Sequence, residues 1–384
     1  MRYILTLLTI VLLTNVNAQG ADDVFSKMAK RMDALTTISY NSYREISNSN
    51  DNYFSNNSGS CYFEFNPKAD GKLARFQLQS DKFFQVYNGT EYFSLNEKDK
   101  TFESGKRKAA SFANMSLLYN SMVTLRISLP VIASDPSVPK SVKDTVIDGT
   151  SYHLLKFELL KKTIEFPTGF STFDVDVTRY YELVVDKKTL LPYIIVDRNS
   201  ILKDKYYTKT IFTSINTAPP APVASSWFFS SYTGYSLKQE AKRNPMIAVG
   251  SNLKDWVLPV YAGVGNDSLG QNNFKGKKIL MEFWIKNCGY CMAAFPHMKD
   301  LQQKYGNGVE IVSLNAYETP EEIDFFYKRE KPAYKMLYNA EKLANQLGIY
   351  SYPSVLIVNE AGKVIYSKSG FNKEEIEAVL ENKN

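Results

Sequence analysis

Residues 278–291 read KILMEFWIKNCGYC and place two cysteines, Cys288 and Cys291, three positions apart. Before the cysteines lies a nearly continuous apolar run of strand length, interrupted by Glu282, which is typical of a strand buried on both faces. After them, apolar residues recur at helical spacing, which predicts a helix with one face in the core. The cysteine pair therefore lies where a strand runs into a helix N-terminus, and it predicts a reversible dithiol–disulfide switch.

This position gives the two sulfurs and the nearby acid different expected roles. The unpaired N–H groups and the dipole of a helix N-terminus favour an anion, so Cys288 should ionise readily and attack a substrate disulfide. Cys291, held by the helix, would resolve the mixed disulfide. Burial should raise the pKa of Glu282, so that it can exchange a proton with Cys291. The alternative is that Glu282 pairs with a buried lysine or arginine.

A zinc site is the other interpretation of two neighbouring thiols. Such a site needs two further Cys or His ligands at close spacing, and the nearby candidate is His297. Six residues separate His297 from Cys291, which places them roughly 240° apart around a helix. His297 therefore points elsewhere, and we expect neither a metal nor a cofactor.

The N-terminus predicts export. One positive charge, Arg2, precedes an apolar run from Ile4 to Val16 that is too short to span a bilayer and ends in Val16-Asn17-Ala18. This pattern is typical of a Sec signal peptide, residues 1–18, cut after Ala18. Because no later stretch is long and apolar enough to cross a membrane, we expect a soluble protein of the periplasm or another exported location.

Composition narrows the function classes. The 384 residues are enough for two domains, and three cysteines are too few for a fold built on disulfides. The 46 basic and 40 acidic residues are spread along the chain, with no basic run longer than 106–108. The sequence therefore predicts no nucleic-acid partner.

The first half predicts a curved antiparallel sheet with one or two helices. An opening helix from Asp22 to Leu35 is followed by segments of period-two alternation, which is typical of strands with one buried face. Asn88-Gly89 indicates a tight hairpin, and Ser111 to Ile127 a helix closed by Leu129-Pro130. The alternating residues are Cys61, Phe63 and Phe65; Ala74, Phe76 and Leu78; His153, Leu155, Phe157 and Leu159; and Tyr181, Leu183 and Val185. We expect Cys61 and His153 to be structural.

A proline-rich segment divides the chain. Residues 217–226 read TAPPAPVASS, which holds neither a regular helix nor a central strand. The aromatic residues that follow, from Trp227 to Tyr235, are too many for a free tether, and we expect them to pack on one domain or the other. The predicted organisation is a sheet domain over residues 19–215, a linker and aromatic segment over 216–249, and a second domain over 250–384.

Residues 20–215 faintly resemble the LolA-like half-barrel of lipoprotein carriers. The resemblance depends on the opening helix, the aromatic strands and the closing run 183–193, LVVDKKTLLPY. It implies a concave apolar face that could hold a lipid, a peptide or a partner domain. The alternative is that these aromatic residues fill a core.

Residues 250–384 resemble the exported thiol-disulfide oxidoreductases of the TlpA/ResA type, which have the thioredoxin fold. The resemblance rests on the run around Glu282 and the cysteines, Pro296 five residues after the second cysteine, the strand 309–314, the helix start at 319–322 and the run 348–358, GIYSYPSVLIV. It implies disulfide exchange with other exported proteins and electrons supplied by a membrane partner.

The same resemblance implies a substrate-binding surface. The Tyr352-Pro353 bond would be cis, which would present the Tyr352 backbone to an extended substrate segment beside the sulfurs. An ordinary trans proline is the alternative. Tyr290 and Trp284 complete the candidate substrate-binding residues, although a packing role is the alternative for Trp284.

Three departures from the family pattern lie next to the cysteines: Asn287, the dipeptide Gly289-Tyr290, and Met292. The dipeptide strongly affects thiolate stability, so the direction of the reaction stays open between reduction and oxidation. We predict an exported oxidoreductase that reduces or exchanges disulfides. The alternatives are a binding protein for an apolar ligand or partner with a redox-responsive accessory domain, and a disulfide oxidase or isomerase.

Overall fold

The computed structural model describes residues 20–66, 72–105, 112, 115–172, 176–202, 205–239, 243–261 and 267–381. The predicted signal peptide and the basic run 106–108 lie outside these residues, as does the side chain of Ala74. The chain divides into two compact units, residues 1–239 and residues 240–384.

A twelve-stranded sheet dominates the first unit. Its order is β14-β6-β5-β4-β3-β2-β1-β13-β12-β11-β8-β7, and every pairing is antiparallel except that of β14 with β6. The strands are β1 (Thr37–Asn48), β2 (Tyr53–Asn66), β3 (Lys72–Ser80), β4 (Phe83–Tyr87), β5 (Tyr92–Asn96), β6 (Thr101–Gly105), β7 (Lys140–Ile147), β8 (Thr150–Leu160), β11 (Thr178–Asp186), β12 (Pro192–Asn199), β13 (Tyr206–Asn216) and β14 (Ser236–Leu237). A separate hairpin pairs β9 (Lys162–Glu165) with β10 (Gly169–Thr172).

Two helices cover one face of this sheet: α1 over residues 20–33 and α2 over Met122–Ser134. Phe25 and Met28 from α1 and Leu129 from α2 share one buried cluster with strand residues such as Phe63 and Phe157. The predicted sheet with one or two helices is therefore confirmed. Because the helices fill the apolar face, the strand aromatics in this cluster form a core.

The predicted helix from Ser111 to Ile127 was wrong in position. Residues 116–120 form turns, and α2 begins only after Ser121, whose hydroxyl caps it by accepting a 3.2 Å hydrogen bond from Thr124 N–H. The helix does not end at Leu129-Pro130 but contains Pro130. An apolar periodicity that extends across a turn explains the early start, and the remainder of the predicted range is not fully described.

The hairpin at Asn88-Gly89 is confirmed, with a four-residue loop between β4 and β5. Asn88 N–H donates to Glu91 O at 3.1 Å, and the Asn88 side chain accepts hydrogen bonds from the N–H groups of Thr90 and Glu91. Gly89 has φ of 101°, a conformation that favours glycine.

The aromatic segment after the prolines lies on the first unit's sheet. Trp227 is 2% exposed and forms a buried cluster with Val86, Phe93 and Leu95, while Arg75 lies 4.2 Å over its ring. Tyr232 packs on Phe93, and β14 extends the sheet edge.

The second unit is built on a five-stranded sheet of order β19-β18-β17-β20-β21. Strand β17 lies at its centre, parallel to β18 and antiparallel to β20. Its strands are β17 (Lys278–Trp284), β18 (Val309–Asn315), β19 (Lys335–Leu337), β20 (Ser354–Val358) and β21 (Val364–Ser369), and a small hairpin pairs β15 (Val257–Pro259) with β16 (Ser268–Gly270). All seven residues of β17 are buried, as its sequence predicts.

Four helices complete this unit: α3 (Gly289–Tyr305), α4 (Pro320–Glu330), α5 (Glu341–Gln346) and α6 (Lys373–Glu381). Thr319 caps α4 reciprocally with Glu322, and Pro320 occupies the first turn, as predicted. Apolar clusters lie on both faces of the sheet, one with Met281 and Phe283, the other with Leu280 and Trp284. This arrangement confirms the predicted thioredoxin-like fold. None of the helices in the described part of the chain combines the length and apolar character needed to cross a bilayer.

Candidate active site

Cys288 and Cys291 form a disulfide at the start of α3, with their Cα atoms 5.2 Å apart. Cys288 is the N-cap residue and is half-buried, whereas Cys291 is 0% exposed. Cys291 N–H donates a 3.1 Å hydrogen bond to Cys288 Sγ. After reduction this N–H and the helix dipole would stabilise a thiolate on Cys288, the sulfur that solvent reaches.

The loop before β20 lies against the outer sulfur. The Tyr352-Pro353 peptide bond is cis, as predicted. The Tyr352 carbonyl oxygen is 3.4 Å from Cys288 Sγ, and Gly370 N–H donates a 2.8 Å hydrogen bond to the Pro353 carbonyl. The backbone of Tyr352 is therefore placed beside the sulfur at which exchange with a substrate would occur.

Glu282 is fully buried in β17, directly opposite Ser313 of β18. Ser313 Oγ donates a 2.9 Å hydrogen bond to Glu282 Oε2. Among the described residues no lysine, arginine or histidine pairs with Glu282, so the structure does not support the ion-pair alternative. Burial raises the pKa of Glu282 to about 8, and the Ser313 hydrogen bond opposes this shift only in part.

Strand alternation directs Glu282 to the α3 side of the sheet. Its even-numbered neighbours in β17, Leu280 and Trp284, belong to the apolar cluster that contains Cys291 and Phe295 of α3. The acid and the inner sulfur therefore occupy the same layer, between the sheet and α3. This placement suits a proton exchange between them.

Trp284 is fully buried, which corrects its place among the candidate substrate-binding residues. Its ring meets those of Phe295 and Phe326 edge to face, at 5.1 and 5.3 Å between centroids. A docked protein could not touch it, because α3 and α4 cover it. The sequence already indicated this burial, because Trp284 lies in an apolar run that is typical of a strand buried on both faces.

Tyr290 is strongly exposed, at 82%. It borders a cleft of about 400 Å³ that runs along α3 past His297 and is closed on the other side by Pro353 and Phe371. A cleft that is bordered by a residue between the two cysteines and has aromatic side chains in its lining suits an apolar side chain of an extended segment.

His297 lines this cleft. Its ring stacks on Phe371 at 6.1 Å between centroids, and it lies about one and two-thirds turns beyond Cys291 on α3. Within the described residues, no group of three or more His, Cys, Asp or Glu side chains is gathered in the way that a metal ion needs.

Two residues near the site were not predicted from the sequence. Ser313 contacts Glu282, and its only sequence signal is that it is the single hydroxyl in the middle of a buried strand. Tyr317 is half-exposed, and its ring meets that of Tyr352 edge to face at 5.9 Å, with 3.3 Å between the hydroxyl oxygens. Loop residues such as Tyr317 carry no periodic pattern that would single them out.

A family model described as Redoxin matches residues 248–383. The C-terminal unit is a redoxin domain. It is similar to the thiol-disulfide oxidoreductase ResA of Bacillus thuringiensis subsp. konkukian, with 28% identity over 155 residues that cover 40% of this chain and 85% of the relative. The thioredoxin-like protein YneN of Bacillus subtilis is 26% identical over 137 residues, which cover 35% of this chain and 79% of the relative.

Solved structures also resemble the redoxin domain. The thioredoxin domain of a thiol-disulfide oxidoreductase from Bacteroides vulgatus has 18% identity and a TM-score of 0.32, over 35% of this chain and 99% of that one. StoA from Bacillus subtilis has 19% identity and a TM-score of 0.30, over 34% and 98% of the two chains.

Proposed function

We propose that this chain is an exported thiol-disulfide oxidoreductase that reduces or exchanges disulfides in other exported proteins. The activity class, thiol-disulfide oxidoreductase, is the one that the ResA relative of the redoxin domain carries in its name. The single observation that supports it best is the disulfide at the start of α3, with one half-buried sulfur and one inaccessible sulfur.

The reaction begins from the reduced pair. The Cys288 thiolate attacks one sulfur of a substrate disulfide, forms a mixed disulfide and releases the other substrate sulfur as a thiolate. Cys291 then loses its proton and attacks Cys288 Sγ, which releases the second substrate thiolate. The substrate gains two electrons, and the protein is left with the Cys288–Cys291 disulfide.

Glu282 and the Tyr352 loop assist different steps. Glu282, buried on the same side of the sheet as Cys291, accepts the proton that Cys291 must lose before it attacks. The Tyr352 backbone and exposed Tyr290 hold the substrate segment beside Cys288. The cleft that Tyr290, His297 and Pro353 line receives a neighbouring side chain.

The location and the partners follow from the proposed chemistry. A disulfide reductase finds substrates in an oxidising compartment, which agrees with the signal-like residues 1–18 and a periplasmic or otherwise exported site. Each turnover leaves the pair oxidised, so a donor must return two electrons. We propose a membrane partner as that donor, and no bound cofactor is needed for the exchange itself.

The binding-protein alternative has less support. It needs an open apolar cavity in residues 20–215, but α1 and α2 cover the apolar face of the sheet. One cleft in that unit, of about 760 Å³, is lined mostly by polar residues, among them Asn41, Asn57 and Ser80. Another, of about 530 Å³, has apolar residues such as Ile132 and Phe170 in its lining together with charged Glu158 and Lys162. The first unit's role and its resemblance to LolA-like carriers stay predictions.

Equilibration in glutathione buffers, followed by reduction of a model protein disulfide, tests the proposal. We expect the wild type to reduce the model disulfide, and Cys288→Ser to lose turnover. Cys61→Ser is the matched control and should keep it, because Cys61 lies buried in the other unit. Equal turnover by wild type and Cys288→Ser would refute the proposed function.

A further inference from the structure

Two buried oxygens near the inner sulfur have no hydrogen-bond partner among the described residues: Glu282 Oε1 and the Tyr334 hydroxyl. Glu282 is 0% exposed and Tyr334 is 5% exposed. An unpaired polar group in the interior is costly, and most buried polar groups do find partners. Two such groups in one small layer therefore call for a common explanation.

Strand register brings them to the same side of the sheet. Glu282 lies opposite Ser313, and Ser313 lies opposite Met336 of β19. Tyr334 precedes Met336 by two residues, and both belong to the apolar cluster on the α3 side that contains Cys291. The charge of Glu282 also raises the pKa of Tyr334, second only to burial.

The donors and acceptors are complementary. Glu282 needs a donor for Oε1, because Ser313 serves only Oε2. A tyrosine hydroxyl supplies one donor. The indole N–H of Trp284 is a second buried donor without a partner, and it lies in the same cluster. Tyr334 and Trp284 are therefore the two candidate donors to Glu282 Oε1, and substituting each of them distinguishes the two.

We propose that Tyr334 is a positioning residue for Glu282: its hydroxyl donates to Glu282 Oε1 through one bridging water and sets the protonation of the acid that serves Cys291. This inference rests on the proposed function, in which Glu282 accepts the Cys291 proton. A donor to the carboxylate favours its charged form, so Tyr334 makes Glu282 a proton acceptor at lower pH than burial alone would allow.

The titratable and charged groups around this pair come from two elements, α3 and α4. Cys291 faces it from α3, and Glu330 of α4 also acts on Tyr334. Glu330 is itself held by Lys299 and by Arg329. Its charge is therefore largely compensated, and the titration of the Tyr334–Glu282 pair should be governed by Glu282.

Isotope-edited infrared spectroscopy of the reduced, full-length protein tests the inference without any substrate. The protonated Glu282 band is identified by its loss in Glu282→Gln and followed against pH. A hydrogen bond to a charged group is worth about one to two pH units, so Tyr334→Phe should raise the Glu282 midpoint by about one unit. Tyr327→Phe, which removes a hydroxyl from half-buried Tyr327, should leave it unchanged.

An unchanged Glu282 midpoint in folded Tyr334→Phe would overturn the inference, and so would a shift seen only in Trp284→Phe. A second measurement covers the case in which Tyr334→Phe does not fold. In wild type labelled at tyrosine Cζ, the Tyr334 resonance should move with the Glu282 midpoint and should stop doing so in Glu282→Gln. The inference would also be overturned if the Tyr334 resonance did not shift as Glu282 titrates. Neither titration measures turnover. The inference about Tyr334 can therefore be overturned while loss of exchange in Cys288→Ser still supports the proposed function.

Discussion

Glu282 shows how a single residue acquires its chemistry from its surroundings. A glutamate in water is charged at neutral pH. This one is fully buried, no cation within the described part of the chain pairs with it, and burial raises its pKa to about 8. The apolar run that surrounds Glu282 in the sequence was enough to predict its burial. Its partner Ser313 was not predictable, because it lies 31 residues away and only the register of β17 with β18 brings the two together.

Glu282→Gln should change how both rate and stability depend on pH. Glu282 must be ionised to accept a proton, so the resolving step should accelerate as pH rises through about 8 in wild type and should lack this dependence in the variant. The rate of disulfide formation from the reduced protein, measured against pH, checks this. An identical pH profile in both proteins would contradict the proton-acceptor role.

The stability of the oxidised protein should also depend on pH through Glu282, and the direction of the raised pKa determines whether stability rises or falls. The pKa in the folded state lies above its ordinary value of 4.5, so the folded state holds a proton that the unfolded state loses. Stability should therefore fall as pH rises from about 4.5 to about 8, by up to roughly 4 kcal/mol. Urea unfolding should show this slope in wild type and a reduced slope in Glu282→Gln.

The matched control is Glu310→Gln. The pKa of Glu310 is lowered, chiefly by Lys277, so its contribution to stability is present above its ordinary pKa and is lost as pH falls. Removing it should leave the slope between about 4.5 and 8 in place. An unaltered slope in Glu282→Gln would mean that Glu282 is not buried in its neutral form.

The Cys61 thiol should not react with alkylating reagents in the native protein. It is 2% exposed, and burial raises its pKa to about 12. Because the thiolate is the reactive form, alkylation of the reduced native protein should label Cys288 readily and spare Cys61 until urea is added. Mass spectrometry of the labelled peptides measures this. Labelling of Cys61 at the rate of Cys288 would contradict its burial.

At the scale of elements, periodicity predicted strands better than helix boundaries. Alternating residues such as Phe63 and Leu183 are buried as predicted, since period two is fixed by the backbone. The start of α2 was misplaced because the cap at Ser121 depends on one local hydrogen bond, which an apolar pattern does not reveal. The aromatic segment after the prolines was predicted to pack, but its partner was left open.

Trp227 should hold that aromatic segment on the first unit's sheet. Trp227 is 2% exposed, packs against Val86, and lies under the Arg75 guanidinium. Trp227→Ala should cost about 3 kcal/mol and release residues 224–238 from the sheet. Limited proteolysis should then cut between residues 216 and 239. Phe228→Ala, at a 52% exposed neighbour, should not change the cleavage; equal cleavage in both variants would count against the packing role.

At the scale of the whole molecule, the structure divides the chain after Gln239. The predicted linker and aromatic segment, 216–249, is shared between the two units, because 224–238 pack on the first sheet and Ile247 N–H donates to Leu347 O in the second. Proline and aromatic content could not predict this division, since composition does not say which surface a segment will find. The redoxin domain was predictable because its landmarks are local motifs in chain order.

The central claim is that Cys288 attacks substrate disulfides and Cys291 resolves the adduct. Trapping with Cys291→Ser tests it most directly, because the variant keeps the attacking sulfur and lacks the one that releases the substrate. Incubation of the reduced full-length variant with a protein disulfide, followed by acid quenching and mass spectrometry, should give a mixed disulfide at Cys288. The double variant Cys288→Ser/Cys291→Ser should give none. If Cys291→Ser forms no adduct, or if the adduct lies at Cys61, the account is contradicted.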